Sequence, residues 1–586
     1  LTRMRRLLLG IAIGAALAAP AVADARSPFG WRGVVEGAYG PTWDHGARTR
    51  VIRWMPRHGF NAYVHAPKDD LYQRTYWRDP YPAAERADFA REIALAGRRG
   101  IEWIPNLSPA LPLIPTPRAP DRPPSRDLCF SCPADLTAVL DKLEPFRRAG
   151  VRTFMISFDD VTKTFGHPED VARYGTGDNA FGRANGDFLS RLYAALRSHE
   201  PRARLLTVGA DYSGTADTDY LRGLRATLRP GVEVMWTGVT VPAHAFAPGD
   251  ARAYGKLIGR RPLVWDNWTD DDTAGNATPA GTARLFLGPY LRRPDVSGSV
   301  GGFFLNPMNE ADLNLLPLAT AGDWLREPLR YVRRRSWLRA VRELAGPLRP
   351  VLRAWAETSW STKLDLAEAP TFTRLSRRFL RAYDARPVWG GHAQRLRREL
   401  GLVVDAPARL RGLRNRHFRD EAGHFLTAAR QAAGAGLLGT RLLVAERPGL
   451  RVHRTRSGWL GSAHAPDPDR ASALRSRFQS EGDASRRSRY FTYGWRTPYA
   501  FEIPPYPVPP NTMNGYLDAV DARDGDWQPH ADAAASRVVV TLAGKRVPLS
   551  ASGAFRLARH SACGRRLLAT DGAGGRTAVR LPPCRV

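Results

Sequence analysis

Cysteine is scarce, with four residues in a chain of 586. A fold stapled at short intervals by disulfides is therefore excluded. Four cysteines allow three pairings, and Cys129 with Cys132 and Cys563 with Cys584 is the one that keeps both bridges within local segments. The "CFSC" spacing of 129–132 also occurs in redox and zinc motifs. Here it lies beside a proline-rich loop and lacks nearby histidine ligands, which favours disulfides. Long apolar runs are almost as rare. The one near the start, in "MRRLLLGIAIGAALAAPAVADA", has a basic beginning, is too short to span a bilayer and ends in the small residues Ala21, Val22 and Ala23. Residues 1–25 are thus expected to be a signal peptide. The remainder is expected to be secreted, with no stable membrane insertion after cleavage. Acidic residues are in deficit, 57 Asp and Glu against 87 Lys and Arg, for a net charge of +30. The excess is nearly all Arg and accompanies abundant Ala, Gly and Pro, a pattern that GC-rich codons also produce. With export expected, nucleic acid is not the expected partner.

The length calls for about two to four domains. From Trp31 on, short apolar strands alternate with amphipathic helical stretches. The strands read "RGVVEGAY", "NAYVHAP", "IEWIPNL", "RTFMISFDD", "RLLTVGADY", "VEVMWTG", "PLVWDNW" and "GGFFLNP". Several of the helices between them end in Gly, as helix C-termini do. Eight strand–helix units over residues 29–328 predict a closed (β/α)8 TIM barrel of α/β class. No Gly-rich phosphate loop follows the first strand, against an open dinucleotide-binding sheet. Residues 329–446, where Leu and Ala recur at helical spacing with Arg between them, predict a helical domain. Residues 447–586 read as a polar linker, including "YAFEIPPYPVPPN", followed by a small β-sandwich.

The fourth strand poses a chemical question. Its apolar run, Phe154 to Phe158, ends in two adjacent carboxylates, Asp159 and Asp160, which repel each other unless partners or chemistry require them. Barrel active sites gather at the C-terminal strand ends. Polar residues converge there: Glu36, Gly37 and Tyr39 after strand one, Lys68 to Asp70 after strand two, Asp211 and Tyr212 after strand five. Trp265 to Asn267 and Asp270 to Asp272 follow strand seven, and Asn306 follows strand eight.

The stretches "GVVEGAYG", "YVHAPKDD", "FMISFDDV", "EVMWTG", "VWDN", "LFLGPY" and "LNP" occur in the order seen in glycoside hydrolase family 84, which this chain resembles over residues 31–325. That family comprises retaining β-N-acetylglucosaminidases, among them O-GlcNAcases and bacterial enzymes once called hyaluronidases. The resemblance implies hydrolysis of terminal GlcNAc from glycans or glycoproteins, assisted by the substrate and without a cofactor. The sugar's 2-acetamido oxygen attacks the anomeric carbon to form an oxazoline, an exception to the two-carboxylate scheme. It further implies that Asp159 accepts the acetamido N–H and that Asp160 serves as acid and then base. By the same resemblance, Gly37 and Lys68 hold the 3-hydroxyl side, and Tyr212 and Trp265 wall the acetamido pocket. Asn267 lies near the reacting centre, and Asp272 and Asn306 hold the 4- and 6-hydroxyls. No metal ligands are implied.

Two features depart from the family pattern. Ala38 replaces a usual aromatic, and "SPALPL" with the insertion "IPTPRAPDRPPSR" replaces a Gly-Leu-Asp run. Two other readings stay open at this stage: cleavage of hyaluronan, and glycan binding without catalysis.

Overall fold

A computed structural model describes residues 27–110, 125–271, 283–362, 367, 369–385, 390–447, 449–455, 458–486, 490–491, 512–525, 538–550, 553–558, 562–570 and 576–583. The expected signal peptide, nearly all of the proline-rich insertion, Asp272, Cys584 and the "YAFEIPPYPVPPN" stretch lie outside them.

Each of the eight apolar runs becomes a strand: β1 Trp31–Glu36, β2 Ala62–His65, β3 Glu102–Leu107, β4 Thr153–Ser157, β5 Arg204–Val208, β6 Val232–Trp236, β7 Leu263–Asp266 and β8 Gly302–Leu305. All neighbours are parallel, and β8 pairs with β1 (Trp31 opposite Gly302), so the barrel closes. Alternation along the strands sorts the side chains into two cores. Val35, Val64, Ile104, Met155, Leu206, Met235 and Phe304 fill the barrel interior. Val34, Tyr63, Phe154, Ile156, Leu205 and Val264 face the surrounding helices. These helices include Ala83–Arg98, Pro133–Arg148, Asp178–His199 and Pro248–Ile258, the last closed by Gly259 at φ 72°. The seventh unit differs from expectation: among the described residues no α-helix stands between β7 and β8, only the two-residue strand Ala283–Arg284, which pairs with Tyr490–Phe491, and a 3₁₀ segment, Pro294–Ser299.

Helices Arg333–Ala345, Arg349–Ala356, Pro370–Ala385, Gly390–Val404 and Arg416–Ala445 follow the barrel. Beyond residue 447 the linker expectation needs correcting in two respects. Gly449–Arg454 and Gly458–His464 form an antiparallel hairpin that also pairs with Ala554–Ala558. Its apolar residues, Leu450, Val452 and Trp459, are separated by arginines and polar residues, which obscures the period-two pattern. The helices Pro468–Arg486 and Thr512–Gly525 then pack back on Arg416–Ala445. They bury Phe478, Met513, Tyr516, Leu517 and Val520 in the same core as the helical domain. The β-sandwich expectation matches the remainder. A four-stranded sheet, with strands Val539–Leu542, Lys545–Val547, Arg566–Thr570 and Arg576–Arg580, shares one apolar cluster with the hairpin sheet. Cys129 and Cys132 are bonded, with Cα atoms 5.4 Å apart. Cys563 is disulfide-bonded as well, and its expected partner Cys584 lies outside the described residues.

Candidate active site

Successive strand residues point to opposite faces, so Asp159 and Asp160 would diverge if β4 simply continued. It does not. Asp160 has φ 55°, in the left-handed region that Asp tolerates better than most residues. The turn aims both carboxyls into the mouth of the barrel, where Lys68 meets both. Lys68 Nζ donates to Asp159 Oδ2 and lies 3.8 Å from Asp160 Oδ2. Tyr39 Oη donates to Asp160 Oδ2 and Tyr212 Oη to Asp160 Oδ1, each at 2.9 Å.

Asp159 Oδ1 is different. It is buried and has no hydrogen-bond partner. A buried carboxylate oxygen without a donor is costly, and such exceptions in folded proteins call for an explanation. Asp160 carries the opposite arrangement. Burial raises its carboxyl, but the Lys68 ammonium, the two tyrosine hydroxyls and the Arg74 guanidinium outweigh burial and hold it below the usual carboxylate range. In the free protein Asp160 is therefore an anion.

A second chain of contacts runs across the mouth. The Gly37 N–H donates to Asn306 Oδ1 at 3.0 Å, Asn306 Nδ2 to Asn267 Oδ1 at 3.0 Å, and Trp265 Nε1 to the same Asn267 oxygen at 2.8 Å. A Cβ on Gly37 would stand 2.4 Å from Trp265 Cζ2, so the indole needs a glycine there. Lys68 links the two halves, with Nζ 5.6 Å from the Trp265 ring and 6.0 Å from the Tyr39 ring. Behind it, Ser157 Oγ donates to Asn106, Asn106 to Gln73 and Gln73 to the Pro67 carbonyl, which fixes the chain next to Lys68.

Eight of the nine residues expected in the site thus meet at one end of the barrel: Asp159, Asp160, Gly37, Lys68, Tyr212, Trp265, Asn267 and Asn306. Asp272 lies outside the described residues. The other rim acids have structural partners. Glu36 points outward to Arg48 and Tyr63, Asp266 to Arg292 and Tyr290, and Asp211 to Lys163 and Thr218. Asp70 takes N–H bonds from Tyr72 and Gln73 within its own turn. Alternation explains the first two, since Val35 and Trp265 occupy the inward positions beside them. Two contributors have no assigned role in the sequence reading. Tyr39 stands only as a rim residue there, and Arg74, which donates to Tyr39 Oη at 3.2 Å, is absent from it. No spacing marks Arg74, because its place comes from the loop after β2.

One described trio, Cys129, His167 and Glu169, has ligand atoms close enough for a metal ion. The Cys129 sulfur is bonded to Cys132, so it offers no thiolate.

Residues 32–357 match the family model described as NAGidase, β-N-acetylglucosaminidase. The chain belongs to glycoside hydrolase family 84. It is 29% identical over 309 residues to the Protein O-GlcNAcase of Rattus norvegicus and, to the same degree, to that of Mus musculus. These matches cover 52% of this chain but only 30% of either relative. Among solved structures, a mutant of the Thermobaculum terrenum O-GlcNAc hydrolase is similar, with TM-score 0.66 and 24% identity over 86% of this chain and 98% of that one. CpGH84B gives TM-score 0.66 and 22% identity over 84% and 77%. At these identities the two structures speak for the family fold, and the shares show that likeness extending beyond the barrel.

Proposed function

We propose that this protein is an exported, retaining exo-β-N-acetylglucosaminidase that removes terminal β-GlcNAc from glycans or glycoproteins by substrate-assisted catalysis. The observation that carries the reading is Asp159 Oδ1, a buried acceptor without a donor beside a second carboxylate. An acetamido N–H supplies the missing donor. Once it is held there, the acetamido oxygen attacks the anomeric carbon, the glycosidic bond breaks and the oxazoline forms. Asp159 balances the positive charge that develops on the acetamido group. Asp160 gives its proton to the departing oxygen, then takes one from the water that opens the oxazoline. No cofactor enters these steps.

Asp160 must gain a proton before it can act as an acid. Substrate binding provides the means: a sugar that displaces water and draws the Tyr39 or Tyr212 hydroxyl onto itself removes a donor that now favours the anion. The alkaline limb of kcat/KM, which reports the free enzyme, is then expected at lower pH than that of kcat.

The test uses the purified protein with aryl β-GlcNAc and a thiazoline analogue of the oxazoline. Turnover with tight competitive inhibition supports the reading, because the analogue resembles a species near the transition state. A glycosyl ester trapped on Asp159 or Asp160 would replace it with a protein nucleophile. Binding without turnover would favour the non-catalytic alternative.

A further inference from the structure

Six large apolar side chains are exposed among the described residues, and three of them fall within one short stretch. Leu329 is 85% exposed, Val332 58% and Leu338 37%. Here the chain leaves the last barrel helix, Leu315–Arg326, passes through a single turn at Pro328–Arg330 and enters the helix Arg333–Ala345. Trp337, Ala340 and Val341 form the buried side of that helix. Helical spacing lays Arg335, Leu338 and Arg342 together on its outer side. Arg335 and Arg342 are exposed and have no acidic partner among the described residues. Arg330 is also exposed and reaches Glu327 only at 3.9 Å. The patch lies at the end of the barrel away from the carboxylates. The helix before it ends where Ser27 Oγ, just ahead of β1, donates to the Leu325 carbonyl.

We propose that Leu329, Val332 and Leu338, ringed by Arg330, Arg335 and Arg342, form a docking surface for an anionic lipid bilayer. Such a surface offers both things the patch needs: phosphate headgroups for the guanidinium groups and an acyl boundary for the apolar side chains. A second copy of the chain fits worse, because a two-fold contact sets each patch against itself and brings like charges face to face. A nucleic acid or acidic polysaccharide would satisfy the arginines but leave the apolar residues against a polar polymer. Docked in this way, the molecule turns its catalytic mouth away from the bilayer, open to glycans.

Sedimentation of the full chain with vesicles tests the proposal, comparing phosphatidylcholine containing phosphatidylglycerol with phosphatidylcholine alone. Binding is expected only to the former and should weaken with salt. Each arginine near an anionic surface is worth about fivefold in affinity. R335A with R342A should therefore weaken binding by about 20- to 30-fold. L329S with V332S should reduce binding at unchanged net charge. R374A with R378A, which removes two exposed arginines from another helix, controls for the overall charge and should weaken binding much less. Turnover of a small aryl substrate, unchanged in all variants, reports that they are folded. The proposal fails if wild type does not sediment, if the control pair loses as much as the patch pair, or if L329S with V332S binds as wild type does. It fails equally if the apolar pair instead converts a dimer to a monomer, since the occupant is then a second copy.

Discussion

The barrel and the segment after residue 447 are built on opposite principles. In the barrel each strand pairs with the next one in the chain, and only the closing contact of β8 with β1 is distant. After residue 447 the partners are remote: the hairpin of residues 449–464 pairs with Ala554–Ala558, and two helices return to Arg416–Ala445. The difference separates structure that local pattern can announce from structure that depends on where the chain comes back. It also separates chemistry from support, since every described side chain around Asp159 and Asp160 comes from the barrel. Four measurements test how sharp that division is.

The largest effect is expected at the two acids. Asp160→Ala should cost about 10²- to 10⁴-fold on a natural glycoside, where the leaving oxygen needs a proton. It should cost far less in bond cleavage on an aryl glycoside with an acidic phenol, and azide should accelerate the second step. Asp159→Ala should slow the first step whatever the leaving group, without azide rescue. Identical leaving-group and azide responses in the two variants would contradict the proposed division of roles.

Next comes a residue the sequence reading assigned to the linker region. Tyr516 is buried, bonds Thr440 at 2.6 Å and packs edge-on against Phe372. Tyr516→Ala should destabilise the fold by about 3–5 kcal/mol, as other buried aromatic truncations do. Chemical denaturation provides the check, and a cost under about 1 kcal/mol would show that these helices are loosely attached. By the same reasoning a chain ending near residue 447 is expected to aggregate, because it uncovers the surface that these helices bury.

A smaller effect is expected at Gly37. The added methyl of Gly37→Ala meets the Trp265 ring, so overpacking of about 1–3 kcal/mol is expected. Because the strain falls on the proposed acetamido wall, it should appear as a higher KM together with a lower melting temperature. A melting shift with unchanged kinetics would move Gly37 from the site to the core.

The smallest effect concerns pH. Burial and the neighbouring Asp524 push the Glu446 carboxyl from 4.5 up to about 9, while Arg475 pulls the other way. Its folded value lies above its unfolded one, so the stabilisation is whole below about pH 4.5 and is lost as pH rises toward 9. Hydrogen exchange in residues 468–486 and 512–525 should therefore speed up over that window relative to the barrel strands. Glu446→Gln should flatten the dependence.

How much was legible follows from these two architectures. Strands buried on both faces read as continuous apolar runs, so all eight barrel strands stand out in the sequence. Eight of the nine site residues lie at or just beyond strand ends, where the motif order already put them. Arg74 was not legible because it sits in the loop after β2, and its distance from Asp160 depends on how that loop packs. The hairpin at residue 449 was missed because arginines and polar residues separate its few apolar positions.

By itself the sequence determined the barrel and the gathering of acids at its rim, because alternation and strand order need only local burial. Tertiary structure decided what local pattern cannot carry. The positive φ of Asp160 turns two neighbouring carboxyls into one cleft, and the surrounding shell leaves one Asp159 oxygen without a donor. The return of residues 468–486 and 512–525 to the helical domain was decided there too. Each depends on which groups approach through space, and distance along the chain does not encode that.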